Sequence, residues 1–197
     1  MAMKLVVGLG NPGAQYRNHR HNVGFMALDR VHARELGSEW RDKHQGLLSQ
    51  CVIAGHPVVL LKPQTYMNVS GSSVIRAVQQ GGVKAHEVLV IHDELELPFG
   101  EVRPKQAGGL GGHNGLRSIH SVIGADFARI RVGIGRPPQG PVDAWVLSNF
   151  ALDEQARLDA LLDRVAALVA EVVANGVPEV APAGGPKGTG RGAAKKG

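Results

Sequence analysis

The stretch that most limits how this chain can fold is residues 5–24, LVVGLGNPGAQYRNHRHNVG. Residues 5–7 read as a short buried strand, which the chain leaves through Gly8-Leu9-Gly10-Asn11-Pro12-Gly13. A strand that exits through glycines toward a helix is the opening of an α/β unit. The same glycines spell G-x-G-x-x-G, the fingerprint of a dinucleotide-binding turn. That reading demands a helix directly after Gly10 and an acidic residue at the end of a second parallel strand roughly 20 residues beyond the loop. Pro12-Gly13 and a polar loop to about His21 stand in the way of the helix, and the nearby acids, Asp29 and Glu35, fall in a helical pattern. A dinucleotide-dependent oxidoreductase is therefore a remote alternative.

Periodicity supplies the other elements. Residues 22–36 read as a helix, with Val23, Met26, Ala27, Val31 and Leu36 roughly at helical spacing and Gly37 as the stop. Residues 47–53 and 58–61 are β-rich runs joined by a hairpin-like Ala54-Gly55-His56-Pro57. A Ser/Gly stretch starts a short helix over 70–80. Residues 88–91 form an unbroken apolar run, the pattern of a strand covered on both faces. Pro104 marks the strand 102–105 as an edge. Residues 114–123 read as a helix. Residues 128–134 alternate Arg129 and Arg131 with Ile130, Val132 and Ile134, which predicts a half-exposed strand. The longest helix spans 152–174, with a core-facing stripe of Ala156, Leu158, Leu161, Leu162, Val165, Leu168, Val169, Val172 and Val173. The expected fold is a single α/β domain over residues 1–175, a mixed, twisted central β-sheet flanked by helices. The Gly/Pro/Lys-rich tail, 176–197, has too little apolar character to build a core and is expected to be disordered.

Cys51 is the one cysteine, so no disulfide forms within the chain and a cysteine-built metal site is not expected. Met1-Ala2-Met3-Lys4 shows no signal-peptide pattern, and no apolar stretch approaches the roughly 20 residues that span a bilayer. A soluble, cytoplasmic monomer is expected. The net charge of +5 is less informative than its distribution. The tail supplies +3 of it through Lys187, Arg191, Lys195 and Lys196 against Glu179. Residues 99–140 carry Arg103, Lys105, Arg117, Arg129, Arg131 and Arg136 against Glu101 and Asp126, a net +4, whereas the 152–174 helix is acidic. Such a chain can present one basic face.

In α/β folds the ligand sits beyond the carboxyl ends of the strands. The strands deliver there Asn11, then the segment Lys62 to Asn68, then His92-Asp93-Glu94. Two helix starts add His21-Asn22 and His113-Asn114, the latter behind Gly108–Gly112. Asn11, His21, Asn68, Asp93 and Asn114 can thus converge as a general-base set: an imidazole, a carboxylate to orient it and amides to donate hydrogen bonds. Cys51 lies inside a strand run and no G-x-S-x-G elbow exists, which leaves a base-activated water as the nucleophile. Blander readings stand beside these: asparagines at helix starts are ordinarily caps, and His92 and His113 suit structural roles. His19-x-His21 could also be read as a metal pair, but it lacks a third ligand at diagnostic spacing.

Five ordered motifs add a resemblance. Gly8 to Gly13 with Tyr16 and Arg20-His21-Asn22-Val23-Gly24, Lys62-Pro63-Gln64-Thr65-Tyr66-Met67-Asn68-Val69-Ser70-Gly71, His92 to Pro98, Gly111 to Leu116 and Arg129 to Pro137 resemble bacterial peptidyl-tRNA hydrolases, over residues 5–174. The resemblance implies hydrolysis of the ester joining a peptide to the terminal ribose of tRNA, which recycles tRNA from prematurely released peptidyl-tRNA. It implies no cofactor and no metal. His21 would be the general base, Asp93 the residue that holds it in its basic form, and Asn11 a catalytic amide near the acyl group. Tyr16, Tyr66, Met67, Asn68, His113 and Asn114 would bind the substrate end, and Lys105 and Arg131 the phosphates of the acceptor stem. The partner is peptidyl-tRNA, gripped at its 3′ end and stem without sequence reading. Where the family commonly has Thr, this chain has His19. The second alternative is a relative that binds RNA, as splicing factors do, without hydrolysis.

Overall fold

Strand runs that are apolar on both faces need cover on both, and the helices divide between the two faces of one sheet. The computed structural model describes residues 2–179. Its strands are β1 (Leu5–Gly8), β2 (Arg41–Lys43), β3 (Gly46–Ile53), β4 (His56–Pro63), β5 (Val88–Glu94), β6 (Val102–Gln106) and β7 (Ala128–Gly133). The α-helices are α1 (Val23–Arg34), α2 (Ser70–Gly81), α3 (Asn114–Ile123), α4 (Val142–Val146) and α5 (Leu152–Asn175). The seven strands form one mixed sheet in the order β2-β3-β4-β1-β5-β7-β6. β4, β1, β5 and β7 run parallel, while β2, β3 and β6 pair antiparallel at the two sides. The expected α/β class and mixed sheet are what the chain adopts.

The apolar run of β5 is covered on both faces, as its composition requires. Leu89 and Ile91 join the cluster packed with α1 and α5, including Val31, Val165 and Val169. Val88 and Val90 join the cluster on the α2 and α3 side, including Val74, Leu116 and Ile119. Because β4, β1, β5 and β7 are parallel, their carboxyl ends open on one rim of the sheet. Close packing at that rim explains two of the glycines. A Cβ on Gly8 would stand 2.4 Å from the carbonyl oxygen of Gly24, and one on Gly24 would stand 2.5 Å from that of Ile91. The strand-exit turn therefore serves β1–α1 packing. Phe25 N–H, at the start of α1, donates to the carbonyl of Leu9, so the helix entrance is occupied by the chain's own backbone.

Three expectations change, and one open alternative is decided. The first helix ends at Arg34, and Leu36 lies beyond it at φ 50° and 89 % exposed, so it takes no part in the core stripe. Ala156 is exposed on α5; the stripe's additional member is Ala166. β7 is not half-exposed: it lies between β5 and β6, and Arg129 is 2 % exposed beneath the segment 107–110. The alternation of residue types was real, but a loop rather than water covers the basic face. Finally, α3 is capped by His113 and not by Asn114. Two elements had no readable signal. β2 is three exposed polar residues paired with β3, and α4 is about a turn and a half. β6 is the edge that Pro104 foretold. The expectation of a disordered tail falls, from residue 180 onward, outside the described residues.

Candidate active site

The rim of the sheet collects its polar residues from loops that β1, β4 and β5 hold in place. Asp93, at the end of β5, is the centre, and it is 4 % exposed. Its Oδ2 lies 2.8 Å from His21 Nδ1, and its Oδ1 lies 2.8 Å from His113 Nε2. The other nitrogen of His113, Nδ1, accepts from the backbone N–H of Gly115 (3.1 Å) and Leu116 (3.3 Å) as the cap of α3. A nitrogen that accepts two N–H groups holds a lone pair, so the proton of this imidazole sits on Nε2 and is donated to Asp93. His21 likewise donates its Nδ1–H to the same carboxylate. Its Nε2 is thereby left unprotonated in the neutral ring.

Electrostatics follow this wiring. Burial works to raise the Asp93 carboxyl, but the two imidazoles beside it outweigh burial and hold it well below the usual carboxylate range. Burial works to lower His21, but Asp93, by charge and by hydrogen bond, more than reverses this, with a smaller push from Asp143. The net result is a raised pKa. His92 points to the α2–α3 side, donates from Nδ1 to the Asp93 carbonyl (2.8 Å), and is pushed down to about 3 chiefly by burial. It is a structural neutral histidine.

Asn11 is oriented from two directions. Asn22 clamps its backbone, accepting from Asn11 N–H and donating to its carbonyl, both at 2.9 Å. The Met67 N–H donates to Asn11 Oδ1 at 2.7 Å. That contact fixes the plane of the amide and leaves its Nδ2–H free to donate to a ligand. Met67 contributes this backbone contact while its own side chain is buried against Gly115. Asn68, next in the turn Met67–Val69, and Asn114 are both exposed, and their side chains make no hydrogen bonds among the described residues. Asn114 lines a cavity of about 260 Å³ together with His21, Asp93, His113, Val142, Asp143 and others. Tyr16 and Tyr66 meet edge to face at 6.4 Å beside this rim, with Tyr66 60 % exposed.

Lys105 and Arg131 stand apart from that cluster. In the β6–β7 ladder Lys105 faces Arg129 and Arg103 faces Arg131, so strand alternation puts all four cations on one face, the α2–α3 side. Arg129 is consumed locally, donating to the carbonyls of Gly109 (2.8 Å) and Ala107 (2.5 Å). Arg131 lies 3.7 Å from Glu94. Sequence reasoning brought Asn22 to the rim with His21 but gave it no role, left Arg129 on a half-exposed strand, and overlooked Asp143. Asn22 carried a signal, sitting beside His21; Asp143 carried none, because α4 itself was not legible.

His21, Asp93 and His113 each bring one potential ligand atom within 4.8 Å of the others, close enough for one metal ion. A metal needs a lone pair on His113 Nε2, whereas the α3 cap places the proton there. The three groups suit a hydrogen-bonded relay better than a ligand set. His19, for its part, packs edge-on against Tyr16 at 5.6 Å and pairs through its backbone with Asn149.

Comparison with known proteins agrees with the motifs. The sequence model of the family described as peptidyl-tRNA hydrolase matches residues 5–184. The chain is 51 % identical over 166 residues to a peptidyl-tRNA hydrolase of Rhodospirillum centenum, covering 84 % of this chain and 73 % of that protein. It is 52 % identical over 165 residues to one from Geobacter sulfurreducens, covering 83 % and 85 %. Among solved structures, peptidyl-tRNA hydrolase from Acinetobacter baumannii superposes with a TM-score of 0.82 at 37 % identity, over 88 % of this chain and 89 % of that one. Family model, relatives and fold coincide over the same residues that build the rim: the chain belongs to the peptidyl-tRNA hydrolase family.

Proposed function

We propose that this chain hydrolyses the ester between a peptide, or any N-blocked aminoacyl group, and the 3′-terminal ribose of tRNA, with His21 as general base. The observation that carries the reading is the wiring of Asp93. Both of its oxygens accept from imidazoles, and the α3 cap fixes the tautomer of one of them. The free Nε2 of His21 is then the atom that can take a proton. In the first step a water oxygen bonds to the ester carbonyl carbon while His21 Nε2 takes the water's proton. Asp93 steadies the imidazolium that results. The oxyanion gathers hydrogen bonds from amides, for which Asn11 Nδ2 and the side chain of Asn114 are available. Collapse of the tetrahedral adduct breaks the bond to the ribose oxygen, and His21 returns the proton to it.

Asn11 and Asn68 meet the acyl group and the terminal nucleotide, and Tyr16 and Tyr66 offer faces for its base. Lys105 and Arg131, with Arg103, receive acceptor-stem phosphates on the β6–β7 edge. Contacts of this kind position a nucleic acid without reading it. No described helix is long and apolar enough to cross a membrane, and we place the activity in the cytoplasm, carried by a monomer. The test is release of N-acetyl-aminoacyl groups from charged tRNA, compared with the unblocked ester and run with EDTA. The blocked ester should be cleaved and EDTA should leave the rate unchanged. Tight tRNA binding without turnover would instead identify an RNA-binding relative.

A further inference from the structure

We propose that Arg20 is a positioning residue for His21: its buried guanidinium, seated among Trp145, Ser148, Asn149 and Glu154, sets where the neighbouring imidazole stands relative to Asp93 and to the α4 wall of the cavity. This inference rests on His21 being the general base. Arg20 and His21 are consecutive in the turn Arg20–Asn22 and bond to different elements. His21 reaches β5, while Arg20 reaches the segment that joins α4 to α5. Arg20 is 3 % exposed. One terminal nitrogen donates to Ser148 Oγ (2.6 Å) and to the Asn149 carbonyl; the other donates to Glu154 Oε1 (2.8 Å). The guanidinium carbon lies 3.6 Å from the centroid of the Trp145 ring and 5.5 Å from that of Phe150. The Arg20 N–H also donates to the Ser148 carbonyl at 2.9 Å, beside the His19–Asn149 bridge.

This arrangement ties three things together. Trp145 belongs to α4, whose Val142, Asp143 and Val146 line the cavity opposite His21. Its indole N–H donates to the Gly135 carbonyl at 2.8 Å, just past the end of β7. Glu154 sits in the first turn of α5. One guanidinium thus couples the base-bearing turn, the far wall of the cavity and the longest helix. Replacing a buried ion pair with apolar groups of similar volume is often neutral or stabilising. What the fork of Arg20 supplies instead is direction, with planar donors to three acceptors and a flat face against an indole. A catalytic imidazole needs that, because misplacement by about 1 Å can lower a rate by roughly 10²-fold.

The experiment measures kcat and KM separately on N-acetyl-aminoacyl-tRNA, with the pH profile of kcat, for Arg20→Lys, Glu154→Gln and Trp145→Phe, at a temperature where each variant is folded by near-ultraviolet circular dichroism. Arg20→Lys keeps the charge and loses the fork; its kcat should fall at least about tenfold with KM within about twofold. Its acid limb should move to lower pH, because the imidazole loses part of its contact with Asp93. Glu154→Gln and Trp145→Phe should show the same pattern more weakly, and they carry the test if Arg20→Lys does not fold. Folded variants with wild-type kcat and an unmoved limb, whatever their melting temperature, overturn the proposal, as does a change confined to KM. His21→Ala runs alongside. If it stays active, the base assignment itself fails; if it is inactive while Arg20→Lys and the other variants keep full kcat, only the positioning role fails.

Discussion

The cluster around Asp93 and the cationic edge of β6 and β7 are both made of ionisable side chains near the ends of adjacent strands, and they use charge in opposite ways. In the cluster every proton has an assigned place. Two imidazoles donate to one buried carboxylate, and backbone N–H groups fix the second imidazole's tautomer. On the edge, four cations share one face; two have carboxylate partners, Arg103 with Glu101 and Arg131 with Glu94, and Arg129 is spent on carbonyls. Lys105 makes no ion pair among the described residues, and burial together with Arg129 and Arg131 lowers its pKa. The cluster therefore depends on geometry and should ignore salt; the edge depends on net charge and should tolerate small displacements.

The largest test of that contrast is His21→Ala. It removes the nitrogen proposed to take a proton from water, and kcat should fall by at least about 10²-fold, with KM for tRNA little changed. Next is Asp93→Asn. An amide has one acceptor and one donor, so it cannot accept from both His21 and His113; one of the two contacts becomes donor against donor. A loss of about 10- to 10²-fold in kcat is expected. The pH profile gives the sign. With His21 as the proposed base, the active form is unprotonated, so activity should be lost as pH falls through its pKa, which Asp93 raises above the ordinary 6.5 in the wild type. Without the carboxylate only burial remains among the larger influences, and the acid limb of the residual activity should move below 6.5. A limb that moved up or stayed fixed would show that some other group sets it.

The sequence made the catalytic half of this contrast more legible than the binding half, for physical reasons. His21, Asp93 and Asn114 follow strands and glycine turns whose positions are dictated by the hydrophobic period, so their meeting at one cavity could be reasoned out; Asn11, at the exit of β1, is held by Asn22 and Met67 and lines a different cavity. The function of Asn22 was masked by its place at a helix start, where capping is the ordinary role; its side chain instead clamps Asn11. Asn114 presents the same ambiguity, which the fold resolves by giving the cap to His113. Along β7, a basic-apolar alternation looks the same whether the basic face meets water or a loop. Nothing local to Arg129 announces that Ala107 and Gly109 fold over it, because those partners are 22 and 20 residues away. Arg20 is the extreme case: its acceptor Glu154 is 134 positions distant. Buried ion pairs between remote segments leave no periodic trace.

The smallest effect is the one that isolates the edge. Lys105→Ala should weaken tRNA binding only about fivefold near 0.1 M salt, leaving kcat at saturating substrate unchanged. Its diagnostic value lies in the slope. Each phosphate contact that is lost lowers the steepness of log K against log salt by about one unit, so the variant and wild-type lines should converge as salt rises. His21→Ala, measured the same way, should give a binding line parallel to the wild type's, since no phosphate contact has been removed. Parallel lines for Lys105→Ala would mean that this lysine touches no phosphate, and the edge would then owe its affinity to Arg131 and Arg103. Converging lines for His21→Ala would mean that the imidazole is charged when tRNA binds, the form that Asp93 favours as pH falls; above its pKa the lines should stay parallel, because in the neutral ring Nδ1 carries the one proton and donates it to the carboxylate, and Nε2 has none to offer a phosphate.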